Sequence, residues 1–216
     1  MNVQEFVDLL GSERASAILR SNDADVARRA LDAAITGGFR VVEVTLTTPR
    51  ALELIAHAAS QPGVVAGAGT VLTVQEAEAA VAHGARFLVS PVTDELVIRR
   101  ATELGVASIP GGHTPTELLA AHRAGAPLVK LFPAPAGGPA WLRSLLAPLP
   151  FLKVVPTNGV DLDNAADWLA AGAWALGFVA SLFQADDMRL GRFDRIEARA
   201  REILDRVRPQ GVPVGV

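Results

Sequence analysis

The feature that most constrains the fold of this chain is a local pattern that repeats along it. A helix-forming stretch ends in glycine, and a short apolar run follows at once; this occurs at Gly38, Gly84, Gly105, Gly125 and Gly172. Glycine is favoured just after a helix because it adopts the left-handed backbone conformation without steric strain. The gaps between successive glycines are of two sizes, one about twice the other. Each long gap is therefore expected to contain one more repeat.

The long gaps each contain one further apolar run, and another run precedes the first glycine, which brings the total to eight. The runs are residues 15–20, 39–46, 64–68, 86–91, 106–110, 128–133, 151–156 and 174–178. They are apolar nearly throughout rather than alternating, which is typical of parallel strands covered by helices. Eight such units in 216 residues predict a closed (β/α)8 TIM barrel in a single domain, residues 1–216. An open doubly wound sheet is the alternative, although the glycine fingerprint that such sheets often use for nucleotides is absent.

Helix boundaries are marked by capping signals. Two Thr-x-x-Glu capping boxes begin at Thr73 and Thr114, and the second has proline at its first helical position. Asp23 and Asp161 are predicted to cap two more helices.

Other helices are predicted from periodic runs rich in Ala, Leu and Glu, among them residues 51–60 and 192–208. An extra N-terminal helix is predicted over residues 1–12, and a frayed tail over residues 209–216.

Composition excludes several classes of function. Hydrophobic residues make up 50% of the chain and cysteine is absent, so disulfides, thiolate metal sites and a cysteine nucleophile are excluded. The net charge is -3 without a run of Lys or Arg, which argues against nucleic-acid binding. A signal-peptide pattern and a membrane-length apolar stretch are both lacking. We expect a soluble, cytoplasmic protein that acts on a small molecule, with no membrane partner, and the four histidines lack a spacing that suits a metal.

Charged residues inside otherwise apolar strands are informative, and Glu43 and Lys130 are the candidates for chemistry. Glu43 interrupts the second run and Lys130 interrupts the sixth. Side chains alternate along a strand, and the face covered by helices must be apolar, so Val129 and Leu131 are expected to point outward. Lys130 then points into the barrel, and the same reasoning turns Glu43 inward.

Burial makes an ammonium costly, so the pKa of Lys130 is expected to fall and release neutral amine. Neutral amine attacks a carbonyl to form a Schiff base, and the iminium then withdraws electrons so that a neighbouring C–C bond breaks. Glu43 is the candidate to move protons during this sequence, although its negative charge also pushes the pKa of Lys130 upward. The alternative is a structural Lys130–Glu43 ion pair. Buried pairs are expensive relative to apolar replacements, which favours the functional interpretation.

Further candidates lie where strands end, because barrel chemistry takes place there. Arg20 follows the first strand and suits a substrate carboxylate, or is a solvated loop arginine. Thr70 follows a glycine-rich third strand. Thr157 and Ser181 follow the seventh and eighth strands, where phosphate groups often bind. His113 lies near the same end but has no metal-binding companion.

Six sequence blocks, in this order and at these separations, resemble the 2-keto-3-deoxy-6-phosphogluconate (KDPG) and 4-hydroxy-2-oxoglutarate (KHG) aldolase family. The blocks are Glu43-Val44-Thr45-Leu46, Gly67-Ala68-Gly69-Thr70, Val89-Ser90-Pro91, Ile109-Pro110-Gly111 with Thr114-Pro115-Thr116-Glu117, Lys130-Leu131-Phe132-Pro133-Ala134 and Val155-Pro156-Thr157. The resemblance covers roughly residues 5 to 205, and its lysine and Gly-Ala-Gly-Thr blocks are highly specific.

This resemblance implies a metal-independent class I aldolase that needs no cofactor, forms a homotrimer, and releases pyruvate and an aldehyde. It implies Lys130 as the Schiff-base lysine and Glu43 as the general acid and base. Thr70, Pro91 and Phe132 correspond to residues that line the pyruvate pocket. Some members bind the substrate carboxylate with an arginine where Thr47 stands here, and others use one where Arg20 stands; this chain follows the second pattern.

The chain departs from the family pattern in two loops. Asn158-Gly159 replaces a Gly-Gly pair, and Gly177-Phe178-Val179-Ala180-Ser181 replaces a block richer in glycine. Gly159 and Ser181 are the remaining candidates to hold a phosphate, and Phe178 and Val179 are expected to add bulk there. The resemblance implies KDPG, KHG or both as the substrate, giving glyceraldehyde 3-phosphate or glyoxylate beside pyruvate. The alternatives are an unphosphorylated or differently configured 2-keto-3-deoxy acid, and a barrel that only binds.

Overall fold

The computed structural model describes residues 1–208, in which strands and helices alternate. The strands are β1 (Ala15–Leu19), β2 (Val41–Thr45), β3 (Val65–Gly69), β4 (Phe87–Val89), β5 (Ala107–Ile109), β6 (Gly111–Gly112), β7 (Val129–Leu131), β8 (Val154–Pro156) and β9 (Leu176–Phe178). The helices are α1 (Val3–Glu13), α2 (Ala24–Thr36), α3 (Ala51–Ala59), α4 (Val74–Ala82), α5 (Glu95–Glu103), α6 (Pro115–Arg123), α7 (Gly138–Leu146), α8 (Ala165–Ala170), α9 (Ala185–Arg189) and α10 (Phe193–Val207).

The strands form two parallel sheets that together make a ring. One sheet has the order β5-β4-β3-β2-β1-β9 and the other the order β6-β7-β8. The predicted fifth strand is divided into β5 and β6 at Pro110, which has no N–H to give to a ladder. The carbonyl of Pro110 still accepts the amide of Lys130 at 2.8 Å, so this seam is narrow.

The second seam closes the ring between β8 and β9. The amide of Trp174 donates to the carbonyl of Val154 at 2.8 Å, and Thr157 bridges to Gly177 in parallel register. All eight predicted apolar runs thus contribute a strand position, and the predicted (β/α)8 barrel is confirmed rather than the open sheet.

The two faces of the strands pack in different layers, as the alternation predicts. Val42, Val44, Val129 and Leu131 belong to the outer cluster, which they share with the helices. The inner cluster lies inside the barrel and consists of Phe6, Val7, Leu10, Val41, Val65, Phe87, Val89, Ala107, Ile109, Leu128, Val155 and Ala175. Outward Val129 and Leu131 leave Lys130 facing the interior.

Helix α1 covers the end of the barrel where strands begin. Phe6 stacks on Phe87 with ring centroids 4.6 Å apart, and the indole N–H of Trp174 donates to the carbonyl of Val7 at 3.1 Å. The helix begins after Asn2, whose capping box with Glu5 stabilises its first turn. The predicted N-terminal helix is confirmed, and its apolar face closes the barrel opposite the ends where chemistry is expected.

Three charged side chains join elements at this closed end. Glu13, at the end of α1, accepts from Arg40 at 3.2 Å and from Nε of Arg208 at 3.1 Å. Arg208 also donates to the carbonyl of Gly38 at 3.0 Å. The network therefore links α1, the start of β2 and the end of α10.

Most predicted helix boundaries are confirmed. Both Thr-x-x-Glu capping boxes form, and Asp23 caps α2. The five glycines that follow helices all have positive φ, between 71° and 104°. The prediction that Asp161 caps a helix is wrong, because a turn intervenes and α8 begins only after Asn164; the Asp161 carboxylate instead accepts the amides of that turn. The predicted tail, residues 209–216, lies outside the described residues.

No helix within residues 1–208 combines the length and the apolar character needed to cross a membrane.

Candidate active site

Two inward-facing charged residues lie in the middle of strands β2 and β7. Glu43 is 2% exposed and Lys130 is 7% exposed, so both are buried among apolar strand residues. They come from different sheets of the ring, since β2 belongs to the six-stranded sheet and β7 to the three-stranded one. The barrel therefore brings together the two residues that the sequence analysis singled out.

The carboxyl of Glu43 has few polar neighbours. Its Oε1 is buried and has no hydrogen-bond partner in the part of the chain that the structure describes. Burial raises the pKa of Glu43 above its ordinary 4.5, while the charges of Lys130 and Arg20 act in the opposite direction. Burial thus favours the protonated form of this carboxyl more than water does, which suits a group that must both donate and accept a proton.

The amine of Lys130 is affected mainly by burial. Burial lowers its pKa below the ordinary 10.5, and Arg20 lowers it further, while Glu43 raises it. No hydrogen bond joins Lys130 to Glu43, and the described ion pairs do not include one between them. The Nζ atom lies 4.8 Å from the centre of the Phe132 ring on the same strand. The alternative of a structural Lys130–Glu43 ion pair is thus not what the structure contains.

Arg20 and Thr70 meet at the mouth of the barrel. Arg20 follows β1, and its Nη2 donates to Oγ1 of Thr70 at 3.3 Å. Thr70 follows β3 with φ of 60°, a left-handed conformation that is uncommon for threonine. Arg20 is exposed and Thr70 half-buried, so the guanidinium remains open to an anion that enters from solvent.

Three threonine hydroxyl groups form a cluster at the end of β2. Thr45 shares the inward face with Glu43, and its Oγ1 lies 3.0 Å from that of Thr47 and 3.2 Å from that of Thr48. Thr48 in turn accepts the amide of Ser21 at 3.3 Å. The sequence contains a signal for this cluster, since three threonines follow Glu43 within five positions. These hydroxyls add hydrogen-bonding groups beside the Arg20 loop.

Pro91 approaches the lysine strand through a glycine. Gly111 pairs with Lys130 across the ladder, and a Cβ on Gly111 would lie 2.5 Å from the carbonyl carbon of Pro91. Real Cβ atoms do not approach that closely, so only glycine lets the loop after β4 come this near to β7. The Pro91 backbone thus approaches the residue that pairs with Lys130, and Phe132 follows Lys130 two positions along the chain.

The residues predicted to hold a phosphate group of the substrate lie in two places. Thr157 is buried after β8, and Asn158 and Gly159 form a left-handed turn with φ of 63° and 105°. Ser181 instead lines a depression of about 700 Å³ that it shares with Asp161, Arg195 and residues of α10. Its Oγ is buried without a hydrogen-bond partner. The lining of this depression includes none of the other predicted site residues.

The prediction that Phe178 adds bulk to the loop after the last strand is wrong. The Phe178 side chain is fully buried in the outer layer, where its ring meets that of Phe39 edge-on at 6.4 Å. Strand alternation explains this result, because Gly177 takes the inward position and packs against Thr157 and Ile18.

The histidines have separate surroundings. His57 contacts Asp32 at 2.6 Å, and Nδ1 of His113 lies 2.9 Å from the carbonyl of Pro133. Within the described part of the chain, His, Asp and Glu side chains form no group of three that could hold a metal ion.

A parallel α/β barrel with a buried amine and a buried carboxyl among its strands, and polar loops at the strand ends, has the arrangement of a barrel enzyme. Comparison with known proteins identifies which kind. A family model described as KDPG and KHG aldolase matches residues 8–199. The chain belongs to this family, whose named members are aldolases and therefore lyases.

Individual relatives agree. The chain is 37% identical over 194 residues to 2-dehydro-3-deoxy-phosphogluconate aldolase of Treponema pallidum, covering 86% of this chain and 88% of the relative. It is 36% identical over 173 residues to 2-dehydro-3-deoxy-6-phosphogalactonate aldolase of Escherichia coli K12, covering 78% and 84%. A solved KDPG aldolase of Legionella pneumophila, with pyruvate captured as a covalent carbinolamine, has a TM-score of 0.83 at 25% identity and covers 91% and 97%. Cleavage to pyruvate and an aldehyde is the general reaction of such enzymes.

The burial of Lys130 predicts a pH-dependent stability. Because its pKa is lower in the folded chain than the ordinary 10.5, the unfolded chain binds more protons than the folded chain as the pH falls below 10.5, which destabilises the fold. Lys130→Met should therefore raise the free energy of unfolding at pH 7 by about 1 kcal/mol or more. The gain should shrink as the pH rises toward 10.5.

Urea unfolding at several pH values measures this trend. The chain has no tyrosine or cysteine and only one other lysine, Lys153, so few side chains titrate in this range. Lys153→Met is the matched control for the loss of a lysine as such. A gain that stays constant from pH 7 to pH 10.5 would contradict the prediction.

Proposed function

We propose that this chain is a class I aldolase in which Lys130 forms the Schiff base. The observation that carries the proposal is the buried Lys130 amine, which lies inside the barrel without an ion-pair partner among residues 1–208 and whose pKa is lowered by burial. Such an amine is neutral more often than an exposed lysine, and neutral amine is the nucleophile. The covalent carbinolamine of the Legionella relative supports this assignment by homology.

In the proposed reaction, Nζ of Lys130 adds to the C2 carbonyl of a 2-keto acid and gives a carbinolamine. Loss of water from the carbinolamine forms the iminium. The C3–C4 bond then breaks, its electron pair moves into the iminium as an enamine, and the C4 hydroxyl becomes the aldehyde as it loses its proton. Protonation of the enamine at C3 and hydrolysis of the imine release pyruvate and the free amine.

Glu43 is proposed as the acid and base of these steps. In its protonated form it gives a proton to the departing carbinolamine hydroxyl, and in its ionised form it accepts the proton of the C4 hydroxyl. Its raised pKa supports the role of proton donor, since burial favours the protonated form more than water does.

Binding of the keto acid is assigned to residues around the mouth. Arg20 is proposed to hold the C1 carboxylate, because it is exposed and donates to the neutral hydroxyl of Thr70 rather than to a carboxylate within residues 1–208. Thr70, Pro91 and Phe132 would line the pyruvate portion. Thr157, Gly159 and Ser181 are proposed for the far end of the substrate.

The substrate is proposed to be KDPG, KHG or both, with a sister 2-keto-3-deoxy acid as the second candidate. The far-end loops favour weak selection for phosphate. Asp161 and Asp163 lie beside Ser181, while Arg199 is engaged by Asp187 at 2.6 Å. Relatives named for phosphogluconate and for phosphogalactonate match this chain about equally well, so homology supports either configuration.

A barrel that only binds is disfavoured because Lys130 and Glu43 are both present and both buried.

A homotrimer is proposed from the family resemblance. Three large apolar side chains, Leu72, Val92 and Leu96, are 46%, 50% and 62% exposed near the ends of β3 and β4, and burial in an assembly would cover them. Light scattering of the protein as it elutes from a size-exclusion column measures the mass of the assembly directly.

Trapping with borohydride tests the lysine assignment. The chain contains two lysines, and Lys153 lies at the other end of the barrel, 4.6 Å from the ring of Trp174. Borohydride with pyruvate should add one reduced pyruvate to a peptide that contains Lys130, as read by mass spectrometry. Lys130→Ala should abolish both adduct and turnover.

Lys153→Ala is the matched control and should retain both. An adduct on Lys153 or on the N-terminal amine, or no adduct at all, would contradict the assignment.

Kinetics on a substrate panel test the proposed specificity. We expect both KDPG and KHG to be cleaved, with kcat/KM values that differ by less than about 100-fold, because the far-end loops offer few contacts that would discriminate. Pyruvate release coupled to lactate dehydrogenase measures the rates. Ser181→Ala should lower kcat/KM for KDPG and leave that for KHG unchanged if Ser181 contacts phosphate.

A preference for KDPG much larger than 100-fold would reject the unphosphorylated alternative. Equal effects of Ser181→Ala on the two substrates would remove Ser181 from the phosphate site.

A further inference from the structure

Gly69, the last residue of β3, lies directly against the side chain of Glu43. It pairs with Thr45 across the β2–β3 ladder, two positions along from the Glu43–Gly67 pair. Its φ is not among the positive values of this chain, so the backbone itself does not require glycine at this position. The reason for glycine must therefore be sought in what a side chain would meet.

A Cβ on Gly69 would collide with the glutamate. It would lie 2.7 Å from Cδ and 2.9 Å from Cγ of Glu43, and closer still to Oε1. Real Cβ atoms essentially never come within 3.0 Å of such neighbours. The carboxyl of Glu43 thus occupies the space that any other residue at position 69 would fill.

Steric fit matters here because hydrogen bonds do not hold this carboxyl in place. Oε1 of Glu43 is buried without a partner, and the charged groups that face it, Lys130 and Arg20, act on it without an ion pair. The position of the carboxyl is therefore set by the shape of the surrounding strands, and Gly69 forms the part of that shape which touches the carboxyl itself.

We propose that Gly69 is a positioning residue for Glu43, and that its missing side chain holds the carboxyl where it serves the substrate bound to Lys130. This inference rests on the proposed aldolase function. Gly69 does not touch the reacting atoms; it acts by where it lets Glu43 lie.

Gly67 provides a matched comparison on the same strand and the same inward face. A Cβ on Gly67 would lie 2.5 Å from Cε1 of Phe87, a ring that stacks on Phe6 in the inner cluster. A packed ring has little freedom to move, whereas the end of a glutamate side chain can rotate. Alanine at position 67 should therefore strain the core, and alanine at position 69 should displace the carboxyl.

The experiment compares Gly69→Ala, Gly67→Ala, Glu43→Gln and the double variant Gly69→Ala/Glu43→Gln. Urea unfolding reports stability, and kcat and KM report chemistry on the best substrate of the panel. Glu43→Gln should lower kcat about 100-fold or more, the range of general acid–base catalysis. Gly69→Ala should lower kcat at least about tenfold and lose less stability than Gly67→Ala.

The double variant measures how far the effect of Gly69→Ala depends on the carboxyl of Glu43. With Glu43→Gln already present, Gly69→Ala should change kcat by less than about threefold, because the group that it displaces no longer moves protons. Gly67→Ala should retain kcat of the folded protein within about threefold. An equal loss from Gly69→Ala in both backgrounds would overturn the proposal.

The pH profile gives a readout that a purely structural role would not change. Burial raises the pKa of Glu43, and the charges of Lys130 and Arg20 lower it, so a displaced carboxyl has a different balance of these influences. The acidic limb of kcat should therefore move in Gly69→Ala. An unchanged kcat with an unchanged limb would overturn the role of Gly69.

Two outcomes need separate controls. If Gly69→Ala fails to fold, Glu43→Ala in the same chain removes the colliding side chain and should restore folding; a double variant that is equally unfolded would overturn the proposal. If wild type forms no pyruvate adduct, the aldolase function itself fails. A normal wild-type adduct together with unaffected Gly69→Ala kinetics would overturn the Gly69 inference alone.

Discussion

An amine and a carboxyl are buried in one apolar barrel without touching each other, and much of this structure follows from that constraint. A direct ion pair would keep both groups charged and would tie up the nucleophile. Separated by more than a hydrogen bond, Lys130 is shifted toward its neutral form and Glu43 toward its protonated form, because burial is the larger influence on each pKa. The opposing shifts supply an amine that can attack and a carboxyl that can give or take a proton.

Such an interior is stable only if the rest of the barrel is well packed. Helix α1 closes one end with Phe6, Val7 and Leu10, and the outer faces of the strands pack against the helices. The ion-pair network around Glu13 then fastens this closed end. Stability therefore concentrates at the end where strands begin, and polar loops occupy the other end, which is the usual division in barrels of this kind.

Much of this arrangement was predictable from sequence, because it depends on periodicity and on burial. The post-helix glycines and apolar runs predict eight strand positions, and alternation around Val129 and Leu131 turns Lys130 inward. Asp161 could not be predicted correctly, because its carboxylate accepts the amides of a turn rather than capping the helix. Aspartate favours both positions, so local sequence preference does not distinguish a turn from a helix start. Phe178 and Gly69 show another limit. Which way Phe178 points depends on register, and the contact of Gly69 with Glu43 depends on neighbouring strands far apart in sequence.

The break at Pro110 has a consequence for how the spacing of the two buried groups is determined. Glu43 belongs to the six-stranded sheet and Lys130 to the three-stranded one, so no single hydrogen-bond ladder connects them. Their separation depends on the joints at Pro110 and at Thr157–Gly177. The distance across the interior therefore depends on the residues at these two joints as well as on the strands that carry the reacting groups.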